Sequence, residues 1–150
     1  MLYFDTDYME GAHPAIINRL CETNLQHTVG YGNDQYTASA REKIKKACVI
    51  EYGIVFFLAG GTQTNSIMLD ALLQKHEGVL AANTGHIAAH ESGAVEYTGH
   101  NVLTLPHHQG KVKAADVEEF VTTFYKDDTY EHQVAPGVLY ISNHTEYGTI

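Results

Sequence analysis

The sequence predicts an α/β protein with three layers, α/β/α, around a mostly parallel sheet. Three observations lead there. Residues 54–59 form a β-branched and aromatic run that stops at Gly60-Gly61 and gives way to helical spacing at Ile67, Met68, Ala71 and Leu72. Two further short apolar runs, 79–82 and 102–105, each end in a polar turn. A last apolar run, 138–142, follows an amphipathic stretch, 114–125. Strands that alternate with helices pair in parallel and carry the helices on the sheet faces.

The elements read as follows. Residues 1–13 are irregular, and Pro14 suits a first helical turn. Ile16, Ile17, Leu20 and Cys21 then mark one helical face. Gly30-Tyr31-Gly32-Asn33-Asp34 is a loop by composition. Thr37 or Ser39 is the expected cap of a second helix, with Ala40, Ile44, Ala47 and Cys48 as its buried stripe. Residues 54–59 read as a buried strand, followed by the helix that carries Ile67 and Met68. Residues 79–82 are a short strand, and 84–92 a polar turn with a brief helix ended by Gly93. Residues 102–105 are a strand stopped by Pro106, and His107-His108-Gln109-Gly110 is an exposed loop. In the helix at 114–125, Val117, Phe120, Val121 and Phe124 point inward. The domain reading is a helical segment over 1–50 and the first part of a larger ligand-binding domain over 51–150. A strand near the end of the chain, with no capping helix after it, reads as part of a longer protein.

Composition narrows the function. The 150 residues amount to about one domain, and 44% apolar content is ordinary for a globular chain. A net charge of −9 argues against nucleic acid and anionic membrane surfaces as partners. No apolar run approaches a membrane span. Cys21 and Cys48 share no short motif and read as buried thiols of a reducing compartment. The acidic start, Asp5 and Asp7, is unlike a signal peptide. A cytoplasmic protein is expected.

The turn after residue 59 is the first candidate site. Gly60 and Gly61 let backbone amides approach an anion, and Thr62 adds a hydroxyl donor. The helix that follows directs its positive end at the same place, so a phosphate group suits it. The turn lacks both the G-x-G-x-x-G spacing and the Lys-Ser/Thr ending of nucleotide loops, which points to another phosphorylated ligand. His86 opens the helix after the second polar turn. It reads either as a helix cap or as a flat ring that stacks on a heteroaromatic ligand. His86 and His90 share a helical face, but Ile87 stands where a zinc-protease pattern needs Glu, so no metal site is expected. Glu91 and Glu96 read either as acids supporting the site or as solvated side chains. The turns at residues 60, 84 and 143 should converge on one cleft beyond the carboxyl ends of the strands.

Five segments, in order, carry a resemblance. They are Phe4-Asp5-Thr6-Asp7 leading to Gly11-Ala12-His13-Pro14, Tyr31-Gly32-Asn33-Asp34, Gly60-Gly61-Thr62-Gln63-Thr64-Asn65, Thr84 to Ala94 and Ser142 to Gly148. Together they resemble the low-specificity L-threonine aldolases, within the aromatic amino acid β-eliminating lyase/threonine aldolase group of pyridoxal-phosphate enzymes. The resemblance implies the large domain of the fold-type-I, transferase-like architecture, present here in part. It implies that Gly60, Gly61 and Thr62 bind the phosphate of pyridoxal 5'-phosphate. It implies that His86 stacks on the pyridine ring and assists proton transfer at the substrate hydroxyl. Thr6, where the family has a serine, would lie near the substrate carboxylate. Tyr31 would lie near the active site of its own or a neighbouring subunit. His144 stands where the family has an asparagine. The implied reaction cleaves β-hydroxy-α-amino acids such as threonine and allo-threonine to glycine and an aldehyde, in a homo-oligomer, dimer or tetramer. The related alternatives are a β-eliminating lyase, an aminotransferase or a non-catalytic phosphate-ligand module. In the family the Schiff-base lysine lies beyond the last matching segment. None of Lys43, Lys45, Lys46, Lys75, Lys111, Lys113 and Lys126 fits its motif, so this stretch alone is expected to be inactive.

Overall fold

A computed structural model describes residues 8–150. Thr6 therefore lies outside the described residues. The chain divides into two compact units, one running up to Phe56 and one spanning Phe57–Ile150.

The first unit contains helices α1 (Pro14–Thr23) and α2 (Gln35–Ala47). Pro14 begins α1 as expected, with the His13 ring accepting the Ala15 amide at 3.2 Å. α2 starts earlier than Thr37 or Ser39. Its cap is Asp34, whose carboxylate accepts the Tyr36 and Thr37 amides at 2.9 Å each and the Thr37 hydroxyl at 2.6 Å. A carboxylate is a better acceptor for first-turn amides than a hydroxyl, so the start moves to the acid. The expected apolar stripes are not buried. Ile16, Ile17 and Leu20 are exposed, as are Ala47 and both cysteines, which are free thiols. Two short helices cannot enclose two apolar faces by themselves.

The second unit contains α3 (Gly61–Leu72), β1 (Glu77–Ala82), α4 (His86–Ala89), β2 (Val102–Leu105), α5 (Ala114–Lys126) and β3 (Ala135–Leu139). The three strands form one parallel sheet in the order β2-β1-β3. The α/β architecture and the parallel sheet are as expected. β1 is central, and every residue from Gly78 to Ala82 is buried. Val79 and Ala81 face one core with Leu69, Leu73, Ile87 and Val95. Leu80 and Ala82, which alternate to the opposite face, are buried as well. The chain steps from β1 to β2 through α4, then back across β1 to β3 through α5. α4 packs through Ile87 on the face of Val79 and Ala81. Burial of both faces explains why β1 reads as a continuous apolar run.

Two expectations are corrected, at residues 54–59 and at the last strand, while the helix after Gly60 is as expected. Residues 54–59 do not form a strand, and Ile54 and Phe56 are 80% and 72% exposed. A strand needs a pairing partner, and none of the described strands lies beside this segment. α3 buries Leu69 and Leu73, with Asn65 and Ser66 half-buried, while Ile67, Met68 and Leu72 face outward. The helix is apolar nearly all round from 67 to 73, so its phase is set by polar partners. The Asn65 amide donates to Glu91 at 2.7 Å, and the Ser66 hydroxyl to the Ala94 carbonyl at 3.2 Å. The last strand runs over Ala135–Leu139, upstream of 138–142. It begins with Ala135-Pro136-Gly137, which resembles a turn in sequence. The proline is tolerated because, among the described residues, β3 pairs on one side only, and a bulge at Gly137, opposite the Gly78/Val79 step, absorbs the mismatch.

His100, completely buried, ties β1 to α3. Its Nδ1 donates to the Glu77 carbonyl at 3.0 Å, and its Nε2 lies 3.3 Å from Asp70. Gly78 is held by close approach, since a Cβ there would stand 2.7 Å from the Asn101 carbonyl. Gly78→Ala should therefore destabilise the protein by about 1–3 kcal/mol in denaturant titration, because a backbone atom cannot swing aside. The Thr37 hydroxyl, followed by the Thr37 amide, holds the Asp34 carboxyl below its ordinary 3.8. A lowered folded-state value means that this cap stabilises above pH 3.8 and is lost as acid titrates through the folded value. Asp34→Asn should flatten that part of the acid limb, read by α2 helicity against pH.

Candidate functional site

All three strands end at one edge of the sheet, and the turns that leave them line a cleft of about 340 Å³. Ala82, Thr84 and Gly85 come from the exit of β1. Gly110 and Lys111 come from the turn after β2, and Ser142, Asn143, Thr145 and Glu146 from the exit of β3. Because β2 and β3 flank β1 on opposite sides, the chain reverses direction here. Parallel sheets bind ligands at such a switch point. The Thr84 and Ser142 hydroxyls are buried in this lining without a hydrogen-bond partner.

His86 joins the exits of two strands. Its Nδ1 lies 3.2 Å from Glu146 Oε1, beyond β3, and its Nε2 lies 3.9 Å from Glu91 Oε1. The ring is roughly half exposed, at 46% of its side chain, so a ligand can reach it. The amide of Gly85, at the N-cap, bonds the Ala82 carbonyl at 2.8 Å, and that tight turn fixes where the imidazole starts. His86 makes no side-chain cap bond on α4, so the capping alternative does not describe it. His90 stands beside it, with ring centroids 5.6 Å apart and planes tilted by 41°.

Glu91 connects this edge to the glycine turn. Its side chain is 1% exposed. Oε1 accepts the Asn65 amide from the second turn of α3, while Oε2 is buried with no partner. Four residues before Asn65, α3 opens at Gly61, with Gly60 as its extended N-cap. The first amides of an α-helix have no acceptor within the helix. A Cβ placed on Gly60 or Gly61 would meet no atom within 4 Å, so the approach to these amides is open. The Gln63 side chain folds back to accept the Ala59 amide at 2.8 Å and steadies the turn. Thr62 is exposed at the same end. An exposed helix start with a hydroxyl and two open glycines fits a phosphate group.

The expected convergence of three turns is met for two of them. The turns at 84 and 143 share the cleft. The turn at 60 is not part of its lining and is joined to it through Asn65, Glu91 and His86. Tyr31 belongs to the first unit, in the loop between α1 and α2, fully exposed and with a left-handed φ of 62°. Glu96 is exposed. His107, expected in an exposed loop, is half-buried: it stacks on Tyr147 at 5.4 Å and accepts the Gly110 amide at 2.9 Å. Among the described residues, no three His, Cys, Asp or Glu side chains gather as a metal site would require. No described helix is long and apolar enough to cross a membrane. Glu146 was not foreseen as a partner of His86, since sixty residues separate them and nothing local marks the pairing.

Residues 4–150 match the Beta-eliminating lyase family. The chain belongs to that family. Within it, the chain is 31% identical over 149 residues to a low specificity L-threonine aldolase of a Pseudomonas species, and 30% identical to that of Pseudomonas aeruginosa. Each alignment covers 98% of this chain but 42% of the relative, so the chain spans less than half the length of these relatives. The solved structure of Leishmania major threonine aldolase superposes with a TM-score of 0.86 at 40% identity, over 93% of this chain and 40% of that one. The family membership and the structural likeness agree with the expected fold: an α/β lyase-family domain, present in part.

Asn65 is the joint between the glycine turn and the buried acid. Asn65→Ala removes the donor to Glu91 and leaves a buried carboxylate oxygen unpaired. We expect a loss of about 1–3 kcal/mol in stability, read by thermal or denaturant unfolding.

Proposed function

We propose that the protein carrying this chain is a pyridoxal-phosphate-dependent lyase. It cleaves β-hydroxy-α-amino acids such as threonine and allo-threonine to glycine and an aldehyde. The observation that carries the reading is the Asn65–Glu91–His86 connection, which ties an open, amide-rich helix start to a half-exposed imidazole at the carboxyl edge of the sheet. The names of the relatives, all threonine aldolases, support the reaction class.

In this reading the amides of Gly61 and Thr62, with the extended backbone of Gly60 and the Thr62 hydroxyl, hold the phosphate at the positive end of α3. The His86 ring lies against the pyridine and orients it. When bound, the cofactor supplies an electron sink for cleavage of the Cα–Cβ bond. His86 Nε2, which lies 3.9 Å from Glu91 Oε1, beyond hydrogen-bond distance, takes the proton from the β-hydroxyl. Glu146 holds Nδ1 and fixes the ring's rotation. Thr6 and Tyr31 contact the substrate. The Schiff-base lysine is supplied from outside these 150 residues. The same reading makes the enzyme a cytoplasmic homo-oligomer, a dimer or tetramer. The family's own description keeps a β-eliminating lyase as the second reading. Release of pyruvate or another keto acid, in place of glycine, would mark it.

The test uses full-length protein. Added pyridoxal phosphate should produce a visible absorbance band that borohydride bleaches, with the cofactor trapped on a lysine. Threonine should then yield glycine and acetaldehyde. Absence of the band and of the trapped lysine would overturn the proposal. His86→Ala should weaken cofactor binding and lower kcat by about 10²–10⁴, in the range of a lost general base. Unchanged kinetics would remove His86 from the mechanism.

A further inference from the structure

We infer that Glu91 is a positioning residue, which sets the His86 ring relative to the α3 turn through its buried carboxylate. This rests on the cofactor reading above. A carboxylate is costly to bury, and one left with an unpaired oxygen costs more than one that is fully bonded. Glu91 is such a group: its side chain is 1% exposed, Oε1 is bonded by Asn65, and Oε2 has no partner. A solvated glutamate would have turned outward, as exposed Glu96 does five residues later. Keeping the charge inside makes sense where it acts on something nearby, and the group that faces it is His86 Nε2, at 3.9 Å. The other groups around the ring are Glu146 on Nδ1 and the neighbouring His90 ring. Asn65 and Glu91 lie 26 residues apart in sequence, on different elements, so their bond carries the position of α3 to the imidazole. A shift of the helix start would thereby shift the ring that is to lie over the cofactor.

The test is a double-mutant cycle in the full-length protein, read by visible-absorbance titration with pyridoxal phosphate. Glu91→Gln keeps an oxygen to accept from Asn65 and removes the charge. In the wild-type background it should weaken cofactor affinity about tenfold; with His86→Ala already present it should change affinity by less than about twofold. Equal losses in both backgrounds would mean that Glu91 acts on the fold and not through His86, and would overturn the inference. No loss in the wild-type background would overturn it too. Melting of the cofactor-free proteins checks that each variant folds. If Glu91→Gln does not fold, Glu91→Asp, which keeps the charge but withdraws it by one methylene, carries the same comparison. Failure of the wild type to take up pyridoxal phosphate would bring down the cofactor reading itself, and is told apart because it appears before any substitution is made.

Discussion

The bond between the Asn65 amide and the buried Glu91 carboxylate decides the shape of the candidate site. It joins the second turn of α3 to the segment that leaves β1, and so fixes the distance between the glycine turn and His86. The hydrophobic core beneath it places the same elements only coarsely. Leu69 and Leu73 pack against Val79, Ala81, Ile87 and Val95, and packing of that kind tolerates rotation of a helix whose surface is apolar on several sides. A hydrogen bond to a buried charge does not tolerate it, because a missed donor leaves the carboxylate stranded. The polar contact therefore specifies the rotation of α3, while the apolar contacts supply most of the stability.

That division of labour explains which parts of the fold were legible in the sequence. Val102–Leu105 was readable to the residue because a short β-branched run ends at Pro106, and α5 because its apolar spacing is clean. Pro14 marked the start of α1 by itself. The phase of α3 was not readable, since Ile67, Met68, Leu69, Ala71, Leu72 and Leu73 offer several apolar faces. The one chosen depends on a glutamate 26 residues away. The run at 54–59 has strand chemistry, but a strand is a pairing and not a composition, and no described strand meets it. The start of β3 was hidden for the opposite reason. Proline and glycine look like a turn, yet an edge strand that bulges at Gly137 can hold both.

The candidate site divides along the same line. Gly60, Gly61, Thr62 and His86 stood out because their chemistry is local: a helix start, missing side chains, a ring at the head of a turn. Glu91 could be named but not assigned, because burial decides whether a glutamate supports a site or is simply solvated, and burial comes from the fold. Glu146 carried no local signal. Its role exists only because β1 and β3 are neighbours in the sheet although more than fifty residues separate them along the chain.

The strand order gives the site its location. With β2 and β3 on opposite sides of β1, the crossovers leave in opposite directions and open a gap above the carboxyl end of the central strand. Groups that line this gap come from the turns after all three strands, and the segments after β1 and β3 also bring His86 and Glu146 together. α3 is not a crossover helix between described strands, so strand order alone does not bring its start to the gap. The Asn65–Glu91 contact does. A site assembled from two turns placed by topology and a third placed by a few side-chain contacts, Asn65–Glu91 and Ser66–Ala94 among them, should be weakest at the third. The open glycines at 60 and 61 stand at that end, where a bound anion on the helix start would add the contact that the protein alone does not make.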